Sequence, residues 1–95
     1  MNRFTAQPWE TATQWFTGSP RHLYNKALHA HRGGAAAWGV MSTGEKVAVA
    51  VVLNRFDWLQ ELNYTIAEAL ERMEDEWVAA TPRIAHLIAS GTEIG

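Results

Sequence analysis

The chain has 95 residues, 47% of them apolar, no cysteine and a formal net charge of −2. This length and apolar share make one domain with a modest core and argue against disorder of the body. Without cysteine there are no disulfides, no thiolate catalysis and no Cys-ligated zinc, and no apolar run reaches the ~20 residues that a membrane-spanning helix needs.

The charge is unevenly placed. Residues 1–46 hold five Lys or Arg and two Glu, a net of +3, whereas residues 47–95 hold three Arg and eight Asp or Glu, a net of −5. Such a split marks either ordinary solvated helix faces or an interaction surface. Five Trp in a chain of this size is high, and each indole carries an N–H, so some are expected to be only partly buried.

Residues 1–7 read as an arm. The opening stretch MNRFTAQPWETATQWF has one early Arg but neither the apolar centre nor the cleavage site of a signal peptide, so the expected compartment is the cytoplasm. Pro8 suits the first position of a helix, because its missing N–H would be unpaired there anyway. Trp9, Ala12 and Phe16 then share one face while Trp15 points away from it, and Gly18 ends the segment. Trp9, Trp15 and Phe16 are candidate aromatic anchors for a partner, the plainer role being a lid on the core.

Ser19-Pro20 restarts a helix, with Ser as cap and Pro in the first turn. Its inner face is expected to carry Leu23, Tyr24, Ala27, Leu28 and His31, and its outer face a basic strip of Arg21, His22, Asn25, Lys26, His29 and Arg32. Arg21, His22, Lys26, His29 and Arg32 are candidate phosphate contacts, few enough that binding to nucleic acid would be weak and salt-sensitive. A metal site is not expected, because converging helical ligands need a spacing of three or four and His22 and His29 are seven apart. Gly33-Gly34 ends this helix, and the small residues around Trp38 suggest a tight crossing or a short helix beneath the centre of the fold.

Ser42-Thr43-Gly44-Glu45 fits the S-x-x-E capping box, as does Thr65-Ile66-Ala67-Glu68. Between them Val47 to Leu53 (VAVAVVL) has no clean stripe. The capping box and interspersed Ala favour a central helix covered on most faces; β-branched Val leaves a hairpin over 37–53 as the alternative. Asn54 to Asp57 reads as a break, and Trp58 to Leu62 as a short helix. Asn63 stands at a left-handed joint, a conformation that Asn tolerates. After Thr65, the spacing of Ile66, Leu70, Met73 and Trp77 predicts one face of a single helix. Thr81-Pro82 marks a further start, Ile84, Leu87 and Ile88 its inner face, Ser90-Gly91 its end, and residues 92–95 a frayed tail.

The run STGEKVAVAVVLNRFDWLQELNYTIAEALERMEDEW resembles a segment of small proteins encoded on bacterial integrative and other mobile elements, with an S-G-E start, an L-N-R followed by D-W-L, and a Y-T-I-x-E-A run. Phe56 and Asn63 stand where that pattern has Pro and Gly, a difference that affects turns. The resemblance covers roughly a third of the chain and carries no established activity, so it transfers no functional residue. It implies a mobile-element setting, where regulators and inhibitors of host defence are common.

Chemical motifs are few. Ser19 and Ser42 are committed to caps, no G-x-S-x-G occurs, and no phosphate loop or cofactor motif is found. Adjacent carboxylates such as Glu68 and Glu71 read as a solvated face, with Arg72 at ion-pair spacing from Glu68. The rhythm of Thr65 to Ala80 faintly suggests helix–turn–helix, but its second helix would open on Glu74-Asp75-Glu76, the wrong charge for a groove.

The expectation is therefore an all-α single domain of five or six short helices around a central apolar helix at about 43–54. Its predicted core is Leu23, Leu28, Val51, Leu53, Trp58, Leu59, Leu62, Ile66, Leu70, Met73, Trp77, Ile84, Leu87 and Ile88, with Trp77→Ala costing on the order of 3–5 kcal/mol if Trp77 is buried. Neither an enzyme nor a cofactor nor a membrane is expected. The leading functional reading is a protein-binding module whose partner meets an acidic helical face of Asp57, Glu61, Glu68, Glu71, Glu74, Asp75 and Glu76, such as an inhibitor of a defence or nucleic-acid-handling complex. The alternatives are a self-associating homodimer and a weak nucleic-acid binder acting through residues 20–32.

Overall fold

The structure, a computed structural model, describes residues 18–91. The expected arm, the frayed tail and the anchors Trp9, Trp15 and Phe16 lie outside these residues. Five helices and no strand are found among the described residues: α1 Gly18–Gly39, α2 Thr43–Val52, α3 Phe56–Glu61, α4 Ile66–Arg72 and α5 Asp75–Ala89. The fold is all-α, and the hairpin alternative over 37–53 is excluded.

α2 is the hub and packs against each of the other four helices. Val47, Ala48, Val49 and Ala50 are all fully buried. Four consecutive residues go once round a helix, so α2 is covered on every side at that turn. This is why its sequence shows no stripe. The β-branched run stays helical because both ends are specified. Ser42 Oγ accepts from Glu45 N–H at 3.2 Å and Glu45 Oε1 accepts from Ser42 N–H at 3.2 Å, a complete capping box. At the other end Asn54 is left-handed (φ 57°), Arg55 N–H donates to the Ala50 carbonyl at 2.8 Å and Asn54 N–H to the Val51 carbonyl at 3.1 Å. That is a Schellman stop with Asn in place of the usual Gly.

α3 ends in the same way. Asn63 is left-handed (φ 61°), Tyr64 N–H donates to the Leu59 carbonyl at 2.9 Å and Asn63 N–H to the Gln60 carbonyl at 3.0 Å. The next residue but one, Thr65, opens α4 with the second capping box. The expected left-handed joint at Asn63 and both boxes are thus present; Asn54, inside the expected break, is a second such joint.

Three sequence expectations fail here. Residues 65–77 do not form one helix: Met73 (ψ 148°) and Glu74 (ψ 147°) are extended and a new helix starts at Asp75. The acid run Glu74-Asp75-Glu76 suits a helix N-terminus, where the dipole favours negative charge. With only seven residues, α4 rests on Ala69 and Met73, both buried, and small Ala69 lets it approach α2 closely. Ile66 and Leu70 are therefore displaced to the edge and are 46% and 41% exposed, not core. Thr81-Pro82 is not a start, since α5 runs through it. The Thr81 hydroxyl donates to the Trp77 carbonyl one turn back at 2.8 Å, so it serves the same helix and not a new one.

α1 changes direction at Gly34, whose backbone (φ 68°, ψ −155°) is outside the helical region and open only to glycine. The bend brings Trp38 under α2. Trp38 is buried, its ring stacks on Trp58 with centroids 4.7 Å apart, and its indole N–H donates to the Lys46 carbonyl at 2.9 Å. The Arg55 guanidinium lies 4.1 Å from the centroid of Trp58. The start of α1 is tied to α5 by Trp77, which is half-buried and donates to Ser19 Oγ at 2.6 Å and the Ser19 carbonyl at 3.1 Å. On the inner face of α1 the buried stripe is Pro20, Leu23, Tyr24, Ala27 and Ala30. His31 falls one step (about 100°) beyond Ala30 and is exposed, correcting its placement inside.

Of the predicted core, Leu23, Trp58, Leu59, Met73, Ile84, Leu87 and Ile88 are buried and Leu28, Val51, Leu53, Leu62 and Trp77 are partly buried against them. Trp38, not half-buried Trp77, is the largest fully buried side chain. Trp38→Ala should cost about 3–5 kcal/mol in urea unfolding, whereas Leu70→Ala should cost less than about 1 kcal/mol. The reverse ranking would contradict this packing.

Candidate functional site

The basic strip and the acidic face lie on different supports. On α1, the strip is partly neutralised by a residue that sequence reasoning assigned only to a cap. Glu45, in the first turn of α2, places Oε2 2.8 Å from His22 Nε2 and Oε1 4.0 Å from Lys26 Nζ. The Arg21 guanidinium lies 5.9 Å from the centroid of the Tyr24 ring. Of the five candidate phosphate contacts, two are therefore engaged by a carboxylate of the same molecule, and His29 and Arg32 are exposed further along. No three His, Asp or Glu side chains gather as a metal site among the described residues.

The acidic face is carried by α3, α4 and the start of α5. All seven of its side chains are exposed. Their local surroundings separate them into two kinds. Asp57 is held by Arg55 through two bonds, Nε to Oδ1 at 3.0 Å and Nη2 to Oδ2 at 2.8 Å. This pairing lowers the Asp57 pKa and raises that of Arg55. Arg55 is thus an acid-neutralising residue that the sequence did not reveal. Glu68 accepts the Thr65 N–H at 2.9 Å and belongs to the cap; it does not pair with Arg72 as its spacing suggested. Asp75 and Glu76 occupy the first turn of α5, and Glu74 its cap position, where negative charge stabilises a helix.

Glu61 and Glu71 are different. They stand in the last turns of α3 and α4, where the helix dipole disfavours a carboxylate, and neither has a cation at ion-pair distance among the described residues. Local structure does not call for these two charges. Glu71 lines a shallow cleft of about 360 Å³ together with Asn63, Tyr64, Glu68 and Arg72.

Apolar side chains share this surface. Among the described residues four large hydrophobics are exposed, and three of them, Phe56, Ile66 and Leu70, belong to α3 and α4. Phe56 and Ile66 border a groove floored by Ala50, Val51 and Leu59. Leu70 follows Ile66 one turn along α4. Sequence reasoning missed this patch because it put Ile66 and Leu70 inside; the cue available was the brevity of α4 implied by the acid run at 74–76.

No helix among the described residues is long and apolar enough to cross a membrane. No family model, curated protein or solved structure matches the chain.

The Glu45 cluster makes a pH prediction. The hydrogen bond from His22 holds the Glu45 carboxyl below its ordinary value of 4.5, against partial burial, with the Ser42 N–H and the Lys26 charge assisting. A lowered folded-state pKa gives stability that is present above the ordinary value and lost as pH falls through the lowered one. The stability difference between wild type and Glu45→Gln in urea titrations should be full at neutral pH and close below pH 4.5. A difference that stays constant down to strongly acidic pH would contradict the contact.

Proposed function

We propose that the protein is a non-enzymatic binding module of the bacterial cytoplasm that docks through the face built by α3, α4 and the start of α5 onto a basic surface of another protein. The observation that carries this reading is the pair Glu61 and Glu71. Both charges stand where their own helices disfavour them and are unpaired among the described residues, on the same two short helices that carry three exposed apolar side chains. Charges kept against local stability are a feature of binding surfaces. An acidic surface is complementary to a groove that itself holds nucleic acid, and such complementarity speeds encounter. With the mobile-element resemblance, the fitting partner is a nucleic-acid-handling complex of the host, defence systems included, and the fitting role is inhibition.

Binding of nucleic acid by α1 has less support, because Glu45 engages His22 and Lys26. In affinity capture from a nuclease-treated bacterial lysate, the wild type should retain a basic nucleic-acid-handling complex released by moderate salt. A folded variant with Glu71, Asp75 and Glu76 reversed to Lys should not retain it. Equal capture by both proteins would sink the reading. Glu61→Gln with Glu71→Gln should leave the melting temperature unchanged or slightly higher while weakening capture. A clear fall in melting temperature would mean that these carboxylates are structural.

A further inference from the structure

We infer that Gly34 is a hinge at which residues 18–33 are exchanged with those of a second copy, so that straightening α1 turns the closed chain into an α1-exchanged dimer. This stands apart from the acidic-face reading, which neither needs it nor excludes it. Two separate features place the pivot. The Gly34 backbone (φ 68°, ψ −155°) lies in a region open essentially to glycine alone. A Cβ there would meet no described atom within 4 Å, so conformation and not space requires glycine. At Gly33 the reason is the opposite, because a Cβ would stand 2.8 Å from the Ala37 Cβ. Residues four apart in an unbroken helix keep their Cβ atoms about 5–6 Å apart, so this crowding comes from the bend itself. The residues that follow favour an unbroken helix, since Ala35, Ala36 and Ala37 are of the strongest helix-forming type. The joint is also at the surface: Arg32, Gly33, Ala35 and Ala36 are exposed.

The two sides of the pivot are anchored separately. Residues 18–33 hold to the rest of the fold through buried Leu23, Tyr24 and Ala27, through the bond of Trp77 to Ser19 and through the contact of Glu45 with His22. Trp38, past the pivot, is held by the Lys46 carbonyl and the Trp58 ring. Straightening at Gly34 breaks the first set and leaves the second. A second straightened chain remakes the first set across a twofold axis, because exchange uses surfaces that the closed chain already matches. With glycine at the pivot the closed form is favoured, since its own residues 18–33 are always at hand. Alanine there penalises the bend and favours the straight helix, which moves the balance toward exchange.

The test uses the full chain, with size exclusion coupled to light scattering and isotope-filtered NMR. Gly34→Ala should dimerise at least about tenfold more tightly than wild type. Gly39→Ala adds the same methyl group past the pivot, where its Cβ meets no described atom within 4 Å, and should behave as wild type. In a dimer assembled from equal parts of isotope-labelled and unlabelled chains, the contact of the Trp77 indole N–H with Ser19 should run between chains. That of the Trp38 indole N–H with Lys46 should stay within one chain. A folded, monomeric Gly34→Ala overturns the inference. So does a dimer in which both contacts stay within one chain, and so does equal dimerisation of Gly39→Ala. If Gly34→Ala does not fold, wild type decides. Refolded from urea at millimolar concentration, it should contain a dimer with the Trp77–Ser19 contact between chains, and the lack of such a dimer overturns the inference.

Discussion

Complete burial of one helical turn, Val47 to Ala50, is the constraint on which the rest of the structure depends. A helix covered on every side offers no polar face, so its backbone must be satisfied by its own ladder and its two ends. Both ends are closed by side-chain or turn chemistry, the capping box at Ser42 and Glu45 and the Schellman stop at Asn54. The four surrounding helices then have a common surface to pack on. No polar or charged side chain is buried among the described residues, and the indoles of Trp38 and Trp77 both find acceptors. Specificity in this core comes from shape and from helix ends, not from buried polar pairs.

The short helices α3 and α4 inherit their geometry from those ends. Asn54 and Asn63 each turn the chain through a left-handed residue, and α3 and α4 both pack on α2. Arg55 fixes the first of these turns further by lying over Trp58 while it grips Asp57. Helices of six and seven residues cannot bury much of their own surface, and α4 buries only its Ala69–Met73 edge. The remaining side chains, Ile66 and Leu70 on one edge and Glu71 on the outer side, are thereby displayed on a firm base. The surface proposed for binding is a consequence of helix brevity.

Most of the fold was legible in the sequence because it is written in end signals. Ser42, Glu45, Thr65, Glu68 and Asn63 each act where their residue types are strongest: the first two mark the central helix despite its valines, Thr65 and Glu68 the start of α4, and Asn63 the joint before it. Periodicity was the weaker guide. The spacing of Ile66, Leu70, Met73 and Trp77 is a true helical stripe, yet the chain breaks at Met73 and divides it between two helices. That break carries no Gly or Pro; only the acid run that follows marks it. Thr81-Pro82 misled in the opposite sense, because a Thr hydroxyl can serve the helix it stands in. The candidate site was legible in its charge and not in its apolar half. Long-range contacts such as Glu45 with His22 and Trp77 with Ser19 have no local signature at all.

The central physical claim is that α2 is the most protected element and that the α3–α4 face is laid over it. Native-state amide hydrogen exchange, read residue by residue by NMR, tests this most directly. The amides of Ala50 to Leu53 and of Arg55, which donate within α2 and its stop, should exchange only through global unfolding, while those of Leu70 to Arg72 exchange through local opening of α4. Exchange of the α2 amides as fast as those of α4 would show that the buried turn is not what holds the molecule together.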